Sequence, residues 1–310
     1  MFKTYLKTAF VFLFLIPGQL VWSQQVPFGK ETNASNAIET NTIETTASER
    51  SGDSERSKFG ISLFSLGGAA RAQLENTIDN NPSFYFFENY LQFSYRPEKD
   101  FRIAFRYSFN YSTAGVDKLG KAADDKADTR DMSILLTFNN VLEDYLPSNV
   151  TYKFQPRLYL PTSEKSKAQG MITSLRLENE MKIYTDKYSN FRLWLNPHYF
   201  FQRSTAYLDD KGRARTTDMF QFKHGVDYNW SFHKTFSLVP GYEVEDTWSN
   251  ASSANNKDEY RSTLIDYRLG LEMRVARPLK FTLGYGHRKD LIKTDQFEDS
   301  FTLMTNLNLY

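Results

Sequence analysis

The chain has 310 residues, no cysteine, a formal net charge of +1 and 16% aromatic residues. Without cysteine there is no disulfide framework, no thiolate nucleophile and no cysteine-based zinc site, and a balance so close to neutral leaves no electrostatic footprint for nucleic acid. The 26 Phe and 19 Tyr stand beside a mean hydropathy of −0.55, a combination expected of a membrane β-barrel, in which outward apolar and inward polar residues alternate and average out.

The N-terminus reads as an export signal. Lys3 and Lys7 precede an apolar run from Ala9 to Ile16, and Val21 and Ser23 occupy the two positions a signal peptidase reads. The run is short for a membrane-crossing helix, which needs about 20 apolar residues. Residues 1–23 are therefore expected to be removed. Residues 24–57 are rich in Ser, Thr, Asn and Glu and have little to bury, so they are expected to form a disordered polar tail. No later segment is a long uninterrupted apolar run, so a membrane location requires a closed barrel.

From Lys58 to Tyr310 the sequence predicts strands near 58–70, 84–96, 99–112, 130–142, 150–162, 171–185, 190–203, 218–232, 235–248, 260–275, 279–290 and 298–310. That is about twelve, each long enough to cross a bilayer at a tilt, for which roughly 9–11 residues suffice. The connections alternate between tight ones, such as Pro97-Glu98-Lys99 and His233-Lys234, and long polar ones, such as STAGVDKLGKAADDKADT and SNASSANNKDE. Outer-membrane barrels show this asymmetry, with short periplasmic turns and longer outer loops. The expected fold is an all-β, antiparallel up-and-down transmembrane barrel over 58–310 with both termini periplasmic.

Within strands the beat is regular. Phe101, Ile103, Phe105, Tyr107, Phe109 and Tyr111 share one face, and Arg102, Ala104, Arg106, Ser108 and Asn110 share the other. A soluble sandwich also alternates, but its strands usually run to about five or six residues. Here the apolar faces are longer and carry Tyr and Trp near their ends, as interfacial girdles do. The final strand ends on the aromatic Tyr310, although its apolar face is Phe301, Leu303, Leu307 and Leu309 and Tyr310 falls on the other parity.

One oddity recurs. VTYKFQPRL, FRLWLNPHY and KTFSLVPGY place Pro156, Pro197 and Pro240 at equivalent outward positions of every second strand, and KFTLGYGHR keeps the beat with Gly284 and Gly286 in place of proline. Proline donates nothing to a ladder, and an orphaned carbonyl in hydrocarbon costs several kcal/mol. Two readings are open: a band of bulges that shapes the bore, or simple tolerance of proline by bent barrel strands.

The same parity predicts the interior. The third to seventh strands send inward Arg102, Arg106, Lys153, Arg157, Arg176, Glu178, Glu180, Lys182 and Arg192, with His198 on the same phase. The eighth to eleventh send inward Lys223, Asp227, Glu243, Glu245, Asp266, Arg268, Glu272, Arg274 and Arg288. The first wall is net basic and the second roughly balanced. These are the candidate pore-lining residues of a water-filled channel; the competing picture is a charge network that fills the barrel, and about twelve strands allow both. In strand count, loop asymmetry and inward arginines (Arg102, Arg106, Arg157, Arg176, Arg192) the region resembles the small outer-membrane channels of the oligogalacturonate-specific porin family. That resemblance is architectural, without a specific motif. It implies an arginine-lined channel that handles acidic sugars, and does not transfer a substrate to this chain.

Enzymatic chemistry is sparse. The four histidines are His198, expected inside, His233, in a tight turn, and His224 and His287, on or near the lipid phase. No His-x-Ser pairing with a later Asn suggests an outer-membrane phospholipase. Asp124-Asp125 and Asp209-Asp210 fall in outer loops without a nearby histidine, and Asp124, Asp125 and Asp128 fit no calcium loop. No phosphate-binding glycine motif is present, and no catalytic residue, metal or cofactor is expected. The functional expectation is passive diffusion of small polar or anionic solutes through a barrel seated in outer-membrane lipid. A closed structural or surface-binding barrel acting through its outer loops is the alternative, and an outer-membrane hydrolase the third.

Overall fold

The structure, a computed structural model, describes residues 58–70, 83–114, 126–208, 212, 214–250, 261–276, 278–291 and 297–309. The expected signal sequence and polar tail lie outside these residues, as do Asp124, Asp125, Asp209, Asp210 and Tyr310.

Most of the alternating sequence forms strand where the pattern predicts it. The elements are β1 (Phe59–Ala70), β2 (Ser83–Glu98), β3 (Phe101–Ala114), β4 (Lys126–Thr129), β5 (Met132–Asn139), β6 (Val150–Leu160), α1 (Glu164–Ala168), β7 (Met171–Tyr184), β8 (Ser189–Gln202), β9 (Ala206–Leu208), β10 (Ala214–Thr216), β11 (Asp218–Trp230), β12 (Phe236–Ser249), β13 (Arg261–Arg274), β14 (Leu279–Asp290) and β15 (Phe297–Asn308). Each long strand pairs antiparallel with its neighbours in sequence, and β1 closes the sheet against β15. With β4 and β5 sharing one place in the wall, the result is a 12-strand antiparallel closed barrel.

The single strand expected over 130–142 is broken. The β3 register steps by one residue between Phe109↔Thr129 and Arg106↔Ser133, so one extra residue is taken up after Arg130, whose amide still donates to Ser108 O at 2.9 Å. The bulge has a use: Asp131 Oδ1 accepts from Ser163 N at 2.9 Å, Asp131 also takes the Ser166 hydroxyl, and Thr162 Oγ1 accepts from Met132 N at 2.9 Å. These bonds pin the short helix α1 onto the rim, capped by Ser163. The loop expected after β8 likewise contains a small hairpin, β9–β10.

Carrying the registers round the closed sheet displaces the chain by about 16 residues, a shear that tilts twelve strands by about 45°. The outer surface then presents Ile61, Phe93, Phe105, Leu195, Leu269 and Leu303 to the surroundings. A continuous apolar belt of this kind is stable in hydrocarbon, where it costs no water structure, and is the surface of a membrane-spanning barrel.

The prolines occupy one band without bulges. Pro156 and Pro197 lie in a single hydrogen-bonding row through Leu177, and the tilt brings all three to within about three residues of one level. Each keeps its pairing with the following strand, as in Pro156↔Leu177, Phe222↔Pro197 and Pro240↔Leu269. Each interrupts the ladder to the preceding strand, between Leu135↔Arg157 and Phe138↔Phe154, between Arg176↔His198 and Asn179↔Leu195, and between Asp227↔Gly241 and Trp230↔Leu238. The register is the same on both sides of every gap, so the prolines delete ladder bonds and shift nothing. The reading in which they form bulges that shape the bore is therefore corrected: this is tolerance.

At Pro197 the mechanism of tolerance is visible. The amide that residue 197 lacks would have donated to the Leu177 carbonyl. Asn179, an outward residue of β7, donates its side-chain Nδ2 to Leu177 O at 3.0 Å and to Leu195 O at 2.8 Å. Its own Oδ1 accepts from the Tyr152 hydroxyl at 2.6 Å. A polar side chain on a lipid-facing surface is thus satisfied locally by the backbone it repairs.

Candidate functional site

The side chains facing the barrel interior are the ones the two-residue beat assigns to it. Arg106, Arg157, Arg176, Arg192, His198, Lys223, Asp227, Glu243, Glu245, Asp266 and Glu272 are buried inside. Arg102, Lys153, Glu178, Glu180, Lys182, Arg268 and Arg288 also point inward and retain partial exposure. Arg274, at the short-turn end of β13, is the exposed member of the set, with 41% of its side chain accessible.

Their charges pair along the wall. Lys153, Lys182 and Arg192 surround Glu180 at 3.3, 3.4 and 3.9 Å. Arg157 meets Glu178 at 2.7 Å, and Gln155 donates to the same carboxylate. Arg192 bonds Asp227, Arg268 lies 3.4 Å from Glu243 and 3.7 Å from Asp227, and Lys223 meets Glu245 at 2.6 Å. Arg288 stands 3.6 Å from Asp266. These pairs join residues on one strand, on adjacent strands, or, for Arg268 and Asp227, on strands one apart. They link near neighbours round the lining, so these charges are paired along the wall.

Two glycines make room for this. At Gly225 a Cβ would collide with the Trp194 ring and the Tyr242 carbonyl, and at Gly241 it would collide with the Asp227 carboxylate. The Trp194 indole consequently lies flat across β11, with the guanidiniums of Arg192 and Arg268 at 4.8 and 5.4 Å from a ring centroid. A second stack stands nearly opposite: Phe64 and Tyr90 are stacked at 4.7 Å, and Arg106 covers Tyr90 at 3.8 Å. Arg106 also donates through Nε and Nη2 to Gln92 Oε1. The registers and tilt place Tyr90 and Trp194 within about two residues of one level.

Sequence reasoning missed several interior residues. Lys280, bonded to Glu272 at 3.0 Å, and Glu88, bonded to Arg130 at 2.6 Å, lie on inward parity and were legible by the same rule. Trp194 shares the parity of Asn196 and His198, and Phe64, Leu66, Tyr90 and Met304 are apolar residues that also face inward; the last four form a buried cluster on β1, β2 and β15.

The histidines divide as the parity predicts. His198 Nε2 is 2.9 Å from Ser174 Oγ, and its Nδ1 faces Arg176 Nη2 at 3.4 Å. Outside, His224 stacks on Phe222, and His287 Nδ1 is 2.6 Å from Asp299 Oδ1, which also accepts from the Tyr285 hydroxyl at 2.8 Å. His233 sits in its turn and accepts from Thr235 N at 3.2 Å.

No protein-family model and no curated protein sequence matches the chain. Among solved structures it is similar to an outer-membrane channel from Pseudomonas putida F1, at 9% sequence identity and a TM-score of 0.58, covering 83% of this chain and 97% of that one. It is also similar to the NanC porin, at 10% identity and a TM-score of 0.45, covering 79% and 98% of the two chains. A KdgM porin in complex with disordered oligogalacturonate gives 10% identity and a TM-score of 0.44, covering 80% and 99%. At these identities the likeness establishes the fold, a 12-strand closed barrel of the outer-membrane type, and the Pseudomonas channel carries it.

Proposed function

We propose that this barrel is a passive channel of the outer membrane for small polar solutes, with the inward charged residues as its lining, Arg274 at the rim, and both termini on the periplasmic side. The observation that carries the reading is the lateral course of the ion pairs. A lining whose charges are paired along the wall, with glycines recessed to let Trp194 and Asp227 lie flat, keeps a polar surface without spending the bore on cross-links. The Pseudomonas neighbour is itself an outer-membrane channel. Arg102, Arg106, Lys153, Arg157, Arg176, Lys182 and Arg192 outnumber Glu178 and Glu180 on β3 and β6–β8, and this half of the lining would favour anions. Planar-bilayer recording of the refolded chain tests the proposal: discrete conductance steps with anion preference are expected, and a silent membrane refutes it.

A closed barrel is the second reading. Glu243 is 1% exposed, Leu66 is 0% exposed, and the Phe64–Leu66–Tyr90–Met304 cluster occupies part of the interior. The same recording decides between the two. A hydrolase is not favoured: the Ser174–His198 pair has Arg176 where a triad would place the carboxylate that orients the imidazole and stabilises its cation.

A further inference from the structure

Where β1 closes the sheet between β15 and β2, the two faces of the wall exchange character. The inward residues Phe64, Leu66, Tyr90 and Met304 are the buried apolar cluster. Facing outward beside them are Thr305, Ser65 and Asn89, which lie in one row through Ser65↔Thr305 and Ser65↔Asn89. Their direction is fixed by the strands they sit on: Ile61 and Leu63 on β1, Phe93 on β2 and Leu303 on β15 are exposed on the same parity. The registers and tilt put Ser65 about six residues from Phe59 on the short-turn side and about six from Phe201 on the long-loop side. Those two are exposed aromatics towards the two edges of the belt, so the polar row crosses its middle.

All three polar residues keep partial exposure on this surface, and among the described residues none of their side chains makes a hydrogen bond. Asn179 shows the alternative: that outward amide is satisfied within its own wall by Leu177 O, Leu195 O and the Tyr152 hydroxyl. Here the wall offers no such help, since the row runs into Phe109 beyond Asn89 and Phe281 beyond Thr305. Lipid tails supply no donor or acceptor and water is excluded at this depth, so the partner has to be another polar surface in the middle of the membrane. Its chemistry follows from the row. None of the three residues is charged, and the two hydroxyls and the amide each donate and accept, so a row of this composition complements a copy of itself. A two-fold axis along the membrane normal at Ser65 sets that residue against its own copy. The same axis puts Asn89 of one chain on the side of Thr305 of the other, within about three residues of one level. The face is also flat: at Gly67 a Cβ would stand 2.9 Å from the Phe87 ring, so its absence lets Phe87 lie down across β1.

We infer that the Thr305–Ser65–Asn89 row is the centre of a self-association surface, through which two copies of this chain pair side by side in the membrane. Polar side chains that find each other across such an interface hold membrane-spanning elements together where no hydrophobic force can, because the lipid is as apolar as the surface it covers. The pairing goes beyond the channel reading and does not depend on it. Each barrel closes by itself through β1 and β15, and contact through the outer face leaves both interiors as they are.

The chain has no cysteine, so single substitutions place a clean reporter. Leu195, exposed on β8, lies at the level of Ser65 on the opposite wall. S65C and L195C are refolded as full chains into phosphatidylcholine vesicles at a low ratio of protein to lipid and treated with a mild oxidant. Most of the S65C chain should be trapped as a disulfide-linked dimer, and L195C only in traces. Sedimentation of the wild-type chain in density-matched detergent should give a species of two chains, and S65L/N89L/T305V should weaken that pairing about tenfold or more. Gel mobility with and without heating confirms that each variant is folded. Equal cross-linking of S65C and L195C means random collision and overturns the inference. So does a wild-type chain that sediments as a monomer or as a larger oligomer at every ratio of protein to detergent, or a folded triple variant that pairs as tightly as wild type. If the triple variant does not fold, the comparison of S65C with L195C decides the matter. None of these readouts requires conductance, so a silent bilayer leaves the pairing standing and a failed pairing leaves the channel standing.

Discussion

Replacing Asn179 with leucine should destabilise the barrel even though it puts an apolar side chain on a lipid-facing surface. On hydropathy alone the change is favourable. The structure reverses the sign: the Leu177 carbonyl would lose the donor at 3.0 Å that stands in for the absent amide of Pro197, and the Tyr152 hydroxyl would lose its acceptor at 2.6 Å. An orphaned carbonyl and a forfeited hydrogen bond in hydrocarbon together cost about 2–4 kcal/mol. Restoring the backbone amide with P197A supplies Leu177 O from the ladder, so in that background the cost of N179L should fall by about 1–2 kcal/mol. Reversible denaturant unfolding in phospholipid vesicles measures all four corners of the cycle. Equal costs of N179L in the two backgrounds would mean that Asn179 does not repair the proline gap, and the account of how this sheet tolerates proline would be refuted.

Gly225→Val should cost about 2–3 kcal/mol through collision with Trp194 and the neighbouring backbone, and W194A should recover part of it in the same unfolding assay; full cost in both backgrounds would show that the backbone clash alone is responsible. Neutralising the basic half of the lining with R157Q, R176Q and R192Q together should lower anion over cation permeability several-fold in reversal-potential measurements, whereas R274Q at the rim should change it little. In the turn between β7 and β8, the Ser189 hydroxyl and the Tyr188 amide donate to Asp186 and hold its carboxyl below the usual carboxylate range. A lowered folded value means the turn's stabilisation is present above the unfolded value and fades as pH falls through the folded one. The protection of the Tyr188 amide, its exchange rate relative to an unstructured amide at the same pH, should therefore fall in acid, and D186N should remove that loss of protection.

The alternation of VTYKFQPRL or IDYRLGLEMRV was enough to place strands, because a sheet with lipid on one side and a polar interior on the other imposes a two-residue beat on every crossing. β14 was legible to the residue over 279–290. The break between β4 and β5 was not, since a one-residue bulge at Arg130 and Asp131 leaves composition unchanged and is defined only by the register of the strand alongside. The inward charges were legible from parity, and Lys280 and Glu88 would have been added by applying that rule throughout. Phe64, Leu66, Tyr90 and Met304 were passed over, because an apolar residue reads as lipid-facing until its neighbours show otherwise.

The sequence by itself therefore determined the class of fold and the number of crossings, since these follow from local periodicity and from the cost of exposing backbone to hydrocarbon. Tertiary structure alone decided which charge pairs with which, that Trp194 lies flat over Gly225, and that Asn179 completes the ladder at Pro197. Those are contacts between strands, fixed by register and tilt, and no stretch of one strand encodes the register of the next.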